Sequence, residues 1–157
     1  MKNPPALTRL EIRYGDLDPY GHVNNAVYLE FFEKIRIYYW RVLADLLGIE
    51  KLEAGDVPGA RYVIAETTVR YKAPIFFEDT LHGAARMRTV GNRSYAMDFE
   101  LRTGESFDGG DLVAEGSAAH VFFDPLKNTV QPRPEWFLPA VAKLEGRTET
   151  SFSPENR

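Results

Sequence analysis

Residues 15–25, GDLDPYGHVNN, bring two carboxylates (Asp16 and Asp18), an imidazole (His22) and two carboxamides (Asn24 and Asn25) into one short stretch that also holds Pro19 and Gly21. If this segment feeds a helix, the set suits acyl transfer. A carboxylate supplies a base or a nucleophile, an imidazole titrating near neutrality orients water or protonates a leaving group, and first-turn N–H groups polarise a carbonyl and stabilise an oxyanion. The same residue types also serve ordinary helix entry, because Asp and Asn cap helices while Pro and Gly shape turns. The element that the segment feeds therefore decides how much the constellation can mean.

That element is AVYLEFFEKIRIYYWRVLADLL, from Ala26 to about Leu47, without Gly or Pro and closed by Gly48. This predicts a long helix of about 33 Å at 1.5 Å per residue. Glu30, Glu33, Lys34, Arg41 and Asp45 fall on one stripe and apolar side chains cover the rest, so the helix is expected to be largely buried. Arg36 lies outside that stripe, as one half of an internal ion pair, an interface contact or a snorkelling side chain. Upstream, Leu10, Ile12 and Tyr14 alternate with Arg9, Glu11 and Arg13, which predicts a strand over Thr8 to Tyr14. Downstream, Val63, Ala65, Thr67, Val69 and Tyr71 share one parity and predict a second strand stopped before Pro74. Three further strands are expected over 79–90, 93–103 and 112–123, separated by turn residues, the last with small residues on both faces and so closely approached by a neighbour. A short helix is expected over Glu135 to Leu144. The layout is α+β: an antiparallel five-stranded sheet wrapped around a long central helix, one domain over 1–146 and a polar C-terminal tail over 147–157.

Composition narrows the chemistry. A chain of 157 residues with 44% hydrophobic content suffices for one cored domain, and a formal charge of −4 gives no general attraction to nucleic acid. Cysteine is absent, which removes disulfides, thiolate metal sites and a cysteine nucleophile, and suits a cytoplasmic location. The N-terminal residues do not read as a signal peptide, and no apolar run reaches the ~18 residues of a membrane span. His82 and His120 lack Asp, Glu or Cys at metal-ligand spacing and read as packed or solvated side chains; no metal is expected. No Gly-x-Ser-x-Gly elbow is present, so a serine-hydrolase route has no visible nucleophile.

The stretch GDLDPYGHVNNAVYLEFFEKIR resembles the signature of the 4-hydroxybenzoyl-CoA thioesterase family of hotdog-fold proteins. Its Asp-x-Asp-Pro-x-Gly core and its His-Val-Asn-Asn extension both match. VRYKAPIFFEDTL is similar to the family's second strand and its exit, and VGNRSYAMDFEL to the following hairpin, so the likeness runs over residues 7–124. The resemblance implies an acyl-CoA thioesterase. Asp18 takes the catalytic carboxylate position, as nucleophile or as general base, and the Asn25 N–H binds the thioester carbonyl. Asn24 is then a candidate cap, and Asp16 a structural residue of the loop. His22 is the third catalytic candidate by likeness to acyl-ACP thioesterases, which use a histidine of this loop. Tyr20 stands where those enzymes have a catalytic Asn, a departure that weakens an acyl-ACP assignment.

Tyr20, Gly21 and Asn24 are also candidate substrate contacts, together with Arg93 and Ser94, which with Arg88 sit around a hairpin that in similar proteins helps hold the CoA phosphates. The resemblance implies no cofactor, CoA being part of the substrate, and a homodimer or homotetramer in which two sheets join. The alternatives are a non-catalytic acyl-CoA-binding hotdog module, an acyl-ACP thioesterase, or a hydro-lyase on the same fold, the last disfavoured by the Asp-x-Asp-Pro loop.

Overall fold

The computed structural model describes residues 1–154. Strand β1 (Ala6–Leu10) is followed by the loop, helix α1 (Val27–Leu46), and strands β2 (Tyr62–Tyr71), β3 (Leu81–Val90), β4 (Ser94–Thr103) and β5 (Asp111–Asp124). A two-residue strand β6 (Thr129–Val130) and helix α2 (Phe137–Glu145) complete the chain. The sheet is antiparallel throughout, in the order β1-β3-β4-β5-β2, with β6 beside the end of β5. This is the expected α+β architecture, five main strands around one helix of 20 residues.

Phe31, Phe32, Ile35, Tyr39 and Leu43 recur three or four residues apart along α1 and are fully or almost fully buried against the sheet. Each such side chain contributes about 2 kcal/mol by burial. Phe32 stacks on Phe99 of β4 with ring centroids 4.8 Å apart. The small residues of β5 permit this approach: a Cβ on Gly116 would meet the Phe32 ring at 2.4 Å. The polar stripe Glu30, Glu33, Lys34 and Asp45 faces solvent, with Arg41 half-buried. Arg36 is buried and donates from Nε to the Tyr62 hydroxyl at 2.7 Å, with its guanidinium over the Tyr62 ring.

Two expectations need correction. The first strand begins at Ala6 and ends at Leu10, short of Tyr14, because its partner β3 begins at Leu81, which is paired with Leu10. Beyond that point the Arg13 N–H donates to the Asp16 carboxylate and closes a 3-10 turn, Tyr14–Asp16, that turns Tyr14 to solvent. The residues after Gly146, expected as a polar tail, instead dock. A 3-10 turn, Glu149–Phe152, buries Phe152 beneath the Arg147 guanidinium 4.0 Å away, and Arg147 donates to the Met87 carbonyl. One aromatic in a polar run was enough to draw the segment onto β3. Residues 155–157 of that tail lie outside the described residues.

Strand β2 forms one edge of the sheet. It pairs with β5 on one side only, and Val63, Ile64 and Tyr71 are each more than two-fifths exposed. Among the described residues no helix is long and apolar enough to cross a membrane.

Candidate active site

The loop between β1 and α1 is a tight hairpin closed by the Leu17–Val23 bridge. The Asp18 N–H donates to the His22 carbonyl at 2.7 Å, and the Gly21 N–H to the Asp18 carbonyl at 3.0 Å. Gly21 sits at φ +82°, a left-handed conformation that glycine adopts without a Cβ penalty. The Asp18 side chain folds back over this turn: its Oδ1 accepts from the N–H of Tyr20 at 2.9 Å and of His22 at 3.2 Å. Its Oδ2 takes no hydrogen bond among the described residues. One oxygen is thus fixed by backbone while the other is presented. His22 is half-buried, its ring edge-on to Phe76 at 5.3 Å, and its backbone bridges to the same residue.

The helix entry is anchored separately. Asp16 is 2% exposed and accepts from the Arg13 N–H, Nε and Nη2, the last at 2.7 Å. Burial pushes its carboxyl upward, but the hydrogen bonds and charge of Arg13 outweigh that and hold it below the ordinary carboxylate range. Arg13 also reaches Glu30 in the first turn of α1 at 3.1 Å. The Asp16 carbonyl accepts the Asn24 N–H, and just ahead of α1, whose N-cap position is Ala26, Asn24 accepts the Ala26 N–H on Oδ1 and the Val27 N–H on its carbonyl, each at 2.9 Å. Asp16 is therefore committed to structure. The Asn25 N–H has no partner among the described residues, and it lies at the positive end of a 20-residue helix. A fixed carboxylate with one free oxygen, an imidazole four residues on and an unspent N–H at a helix start are group types that serve acyl transfer, in which a carbonyl is polarised and attacked.

Asp18, Tyr20, Gly21, His22, Asn24 and Asn25 therefore share one loop, with Tyr20 projecting into solvent. Arg93 and Ser94 do not join them within a single chain. They flank the β3–β4 turn, whereas the loop lies beside the start of β3, about 30 Å away along a ten-residue strand. Arg88 is paired with Asp98 at 3.2 Å. The His82 ring bonds the Gly104 carbonyl, and His120 is buried, stacked on Tyr95. No group of three His, Cys, Asp or Glu residues arranged for a metal occurs among the described residues. An open groove of about 630 Å³ on the sheet is lined by charges that are already paired, including Arg88–Asp98 and Arg70–Glu115.

Two contributors escaped sequence reasoning. Phe76 flanks His22, and the Tyr71 hydroxyl donates to the Asn25 carbonyl at 3.1 Å. Neither has a local signal, because each meets the loop through the tertiary fold, Tyr71 across 46 positions.

Comparison with known proteins adds identity to this geometry. Residues 12–141 match the model of the thioesterase-like superfamily. A thioesterase from Thermus thermophilus, solved with coenzyme A and zinc, superposes with a TM-score of 0.76 at 31% identity, covering 94% of this chain and all of that one. A putative thioesterase of Pseudomonas aeruginosa, PA2801, gives 0.71 at 25% identity over 89% of this chain and all of its own. The long-chain acyl-CoA thioesterase FadM of Escherichia coli (strain K12) is 29% identical over 87 residues, 55% of this chain. The match spans about three-fifths (61%) of that enzyme's length. These likenesses are to the broader superfamily, not to the 4-hydroxybenzoyl-CoA thioesterase family in particular. By sequence and by its hotdog fold, the chain belongs to the thioesterase-like superfamily.

Proposed function

We propose that the chain is an acyl-CoA thioesterase that hydrolyses the substrate to a free acid and CoA. The observation that carries this reading is the Asp18 carboxylate, tied through Oδ1 to two N–H groups and free at Oδ2, one short loop ahead of the unpartnered Asn25 N–H. Asp18 Oδ2 either attacks the thioester carbon, giving a mixed anhydride that water then opens, or takes a proton from the water that attacks. In both cases the electron pair moves onto the carbonyl oxygen, where the Asn25 N–H and the helix dipole stabilise it. Collapse breaks the C–S bond. The CoA thiolate takes up a proton, for which His22 is the nearby donor. Tyr20, Gly21 and Asn24 shape the mouth of the site. No metal or organic cofactor enters this scheme.

The assembly proposed is a homodimer, or a homotetramer built from it. The open edge of β2 supports this, since an unpaired ten-residue strand with apolar side chains exposed on it is a template for pairing. If β2 pairs antiparallel with its copy, the start of one strand meets the end of the other, and the turn carrying Arg93 and Ser94 arrives beside the other copy's Asp18 loop. There these two residues would contact the CoA phosphates. The lack of cysteine suits a cytoplasmic location.

The test is thiol release from a panel of aromatic and aliphatic acyl-CoAs, read with a thiol-reactive dye, for the wild type and Asp18→Asn. The protein has no cysteine and gives no background. The Asn variant is expected to lose about 10² to 10⁴ in kcat. Tight acyl-CoA binding without turnover would replace this reading with a non-catalytic binding module; turnover of carrier-protein thioesters alone would replace it with an acyl-ACP thioesterase.

A further inference from the structure

At the head of α1 the backbone departs from regular helical bonding. A regular helix hands the Leu29 N–H to the Asn25 carbonyl. Here the Leu29 N–H turns to the Ala26 carbonyl at 3.3 Å and the Val27 N–H to the Asn24 carbonyl at 2.9 Å. The entry is wound at three residues per bond, and the Asn25 carbonyl accepts no backbone N–H among the described residues. Its donor is instead the Tyr71 hydroxyl, 3.1 Å away at the end of β2. The hydroxyl is aimed by the ring that carries it, which sits edge-on to the buried Tyr28 ring with centroids 4.9 Å apart and planes at 86°. Tyr28 belongs to the same first turn, so one tyrosine grips that turn twice, by ring and by hydroxyl.

The consequence for catalysis comes from backbone geometry. The Asn25 N–H and C=O flank one Cα, so the winding that frees the carbonyl also sets the direction of the N–H. Without the Tyr71 hydroxyl the exposed carbonyl regains its ordinary suitor, the Leu29 N–H, and the turn relaxes to four residues per bond. We propose that Tyr71 is a positioning residue for thioester hydrolysis: by occupying the Asn25 carbonyl it holds the helix entry in the tightened winding that keeps the Asn25 N–H free and directed at the developing oxyanion. Tyr71 touches no reacting atom in this assignment, which rests on the proposed thioesterase reading. The clamp spans the sheet, since β2 is one edge strand and the loop it grips leaves β1, the other.

The experiment is Tyr71→Phe in the full chain, assayed beside the wild type and Asp18→Asn. Phe keeps the ring contact with Tyr28 and removes only the hydroxyl. One neutral hydrogen bond acting through geometry predicts a fall in kcat of about 3- to 10-fold, below the 10² to 10³ of losing an oxyanion donor outright. KM is expected to stay within about twofold. The second measurement is backbone amide NMR: the Asn25 and Leu29 resonances should move in the variant while those of the middle of α1 stay. Unchanged kcat overturns the proposal, as does a raised KM at constant kcat, which would make Tyr71 a substrate contact. Stationary Asn25 and Leu29 amides overturn it even if activity falls. With Asp18→Asn inactive, any of these leaves the thioesterase reading standing, whereas a wild type that turns over no thioester removes both.

Discussion

Between neutral pH and pH 5, acid should destabilise this protein through a buried histidine. His120 is fully inaccessible, stacked on Tyr95 at 4.6 Å and meeting Tyr62 edge-on at 5.0 Å. Burial, with repulsion from Arg36, lowers its pKa to about 3 against the pull of the Tyr95 and Ala118 carbonyls. In the unfolded chain the ring returns to about 6.5. The folded value being depressed, the unfolded state alone takes up the proton in that window. The contribution to stability is therefore complete above pH ~6.5, declines below it, and is gone by pH ~3. At pH 5 the unfolded ring is protonated across about 1.5 units, which at 1.4 kcal/mol per unit costs roughly 2 kcal/mol relative to neutral pH. Replacing His120 by Phe keeps a flat ring against Tyr95 and removes the proton. Urea unfolding of both proteins at one fixed concentration, near pH 7.5 and near pH 5, should show the wild type losing about 2 kcal/mol more than the variant. Comparing losses cancels whatever packing offset Phe introduces. Parallel losses, equal within about 0.5 kcal/mol, would refute the reasoning, as would a His120 ring that titrates in the folded protein between pH 8 and 5.

Gly116→Ala should cost about 2 kcal/mol, and roughly 5 °C of melting temperature, by overpacking, because the new Cβ would lie 2.3 Å from the Thr68 carbonyl oxygen and 2.4 Å from the Phe32 ring; an unchanged melt would mean that β5 is not so closely approached. Asn24→Ala removes the acceptor of the Ala26 N–H and should cost about 1 kcal/mol. Full retention of stability in chemical denaturation would mean that this bond does not hold the helix entry.

The alternation of Val63 to Tyr71, the unbroken apolar face of Ala26 to Leu47 and the turn residues between strands were enough to read the architecture, because each element's period is local. Boundaries failed where a partner decided them. Leu10 is the last residue of β1 because β3 starts at Leu81, and Phe152 is buried because β3 offers it a place. The loop was legible by residue type: Asp16 is held by Arg13, and Asp18 and Asn25 stand in one turn-rich segment, whereas Asn24, expected as the cap, bonds the Ala26 N–H from two residues ahead of the N-cap position. What could not be read was the clamp from Tyr71, the packing of Phe76 on His22, and the distance of Arg93 and Ser94 from the loop. Each is a relation between remote positions, for which spacing carries no information.

The candidate site hangs between the two rims of one sheet: its loop leaves β1, and its helix entry is pinned from β2. Within one protomer β1 is paired on one side only, as β2 is wherever the protomers separate, so these rims are among the first parts of the sheet to open under mild denaturant. Opening at either rim dismantles the site while α1 and the three inner strands are still packed. Catalytic competence is thus a more sensitive gauge of integrity than any signal from the interior. A preparation with intact tryptophan fluorescence from the buried Trp40 can already be losing its working geometry.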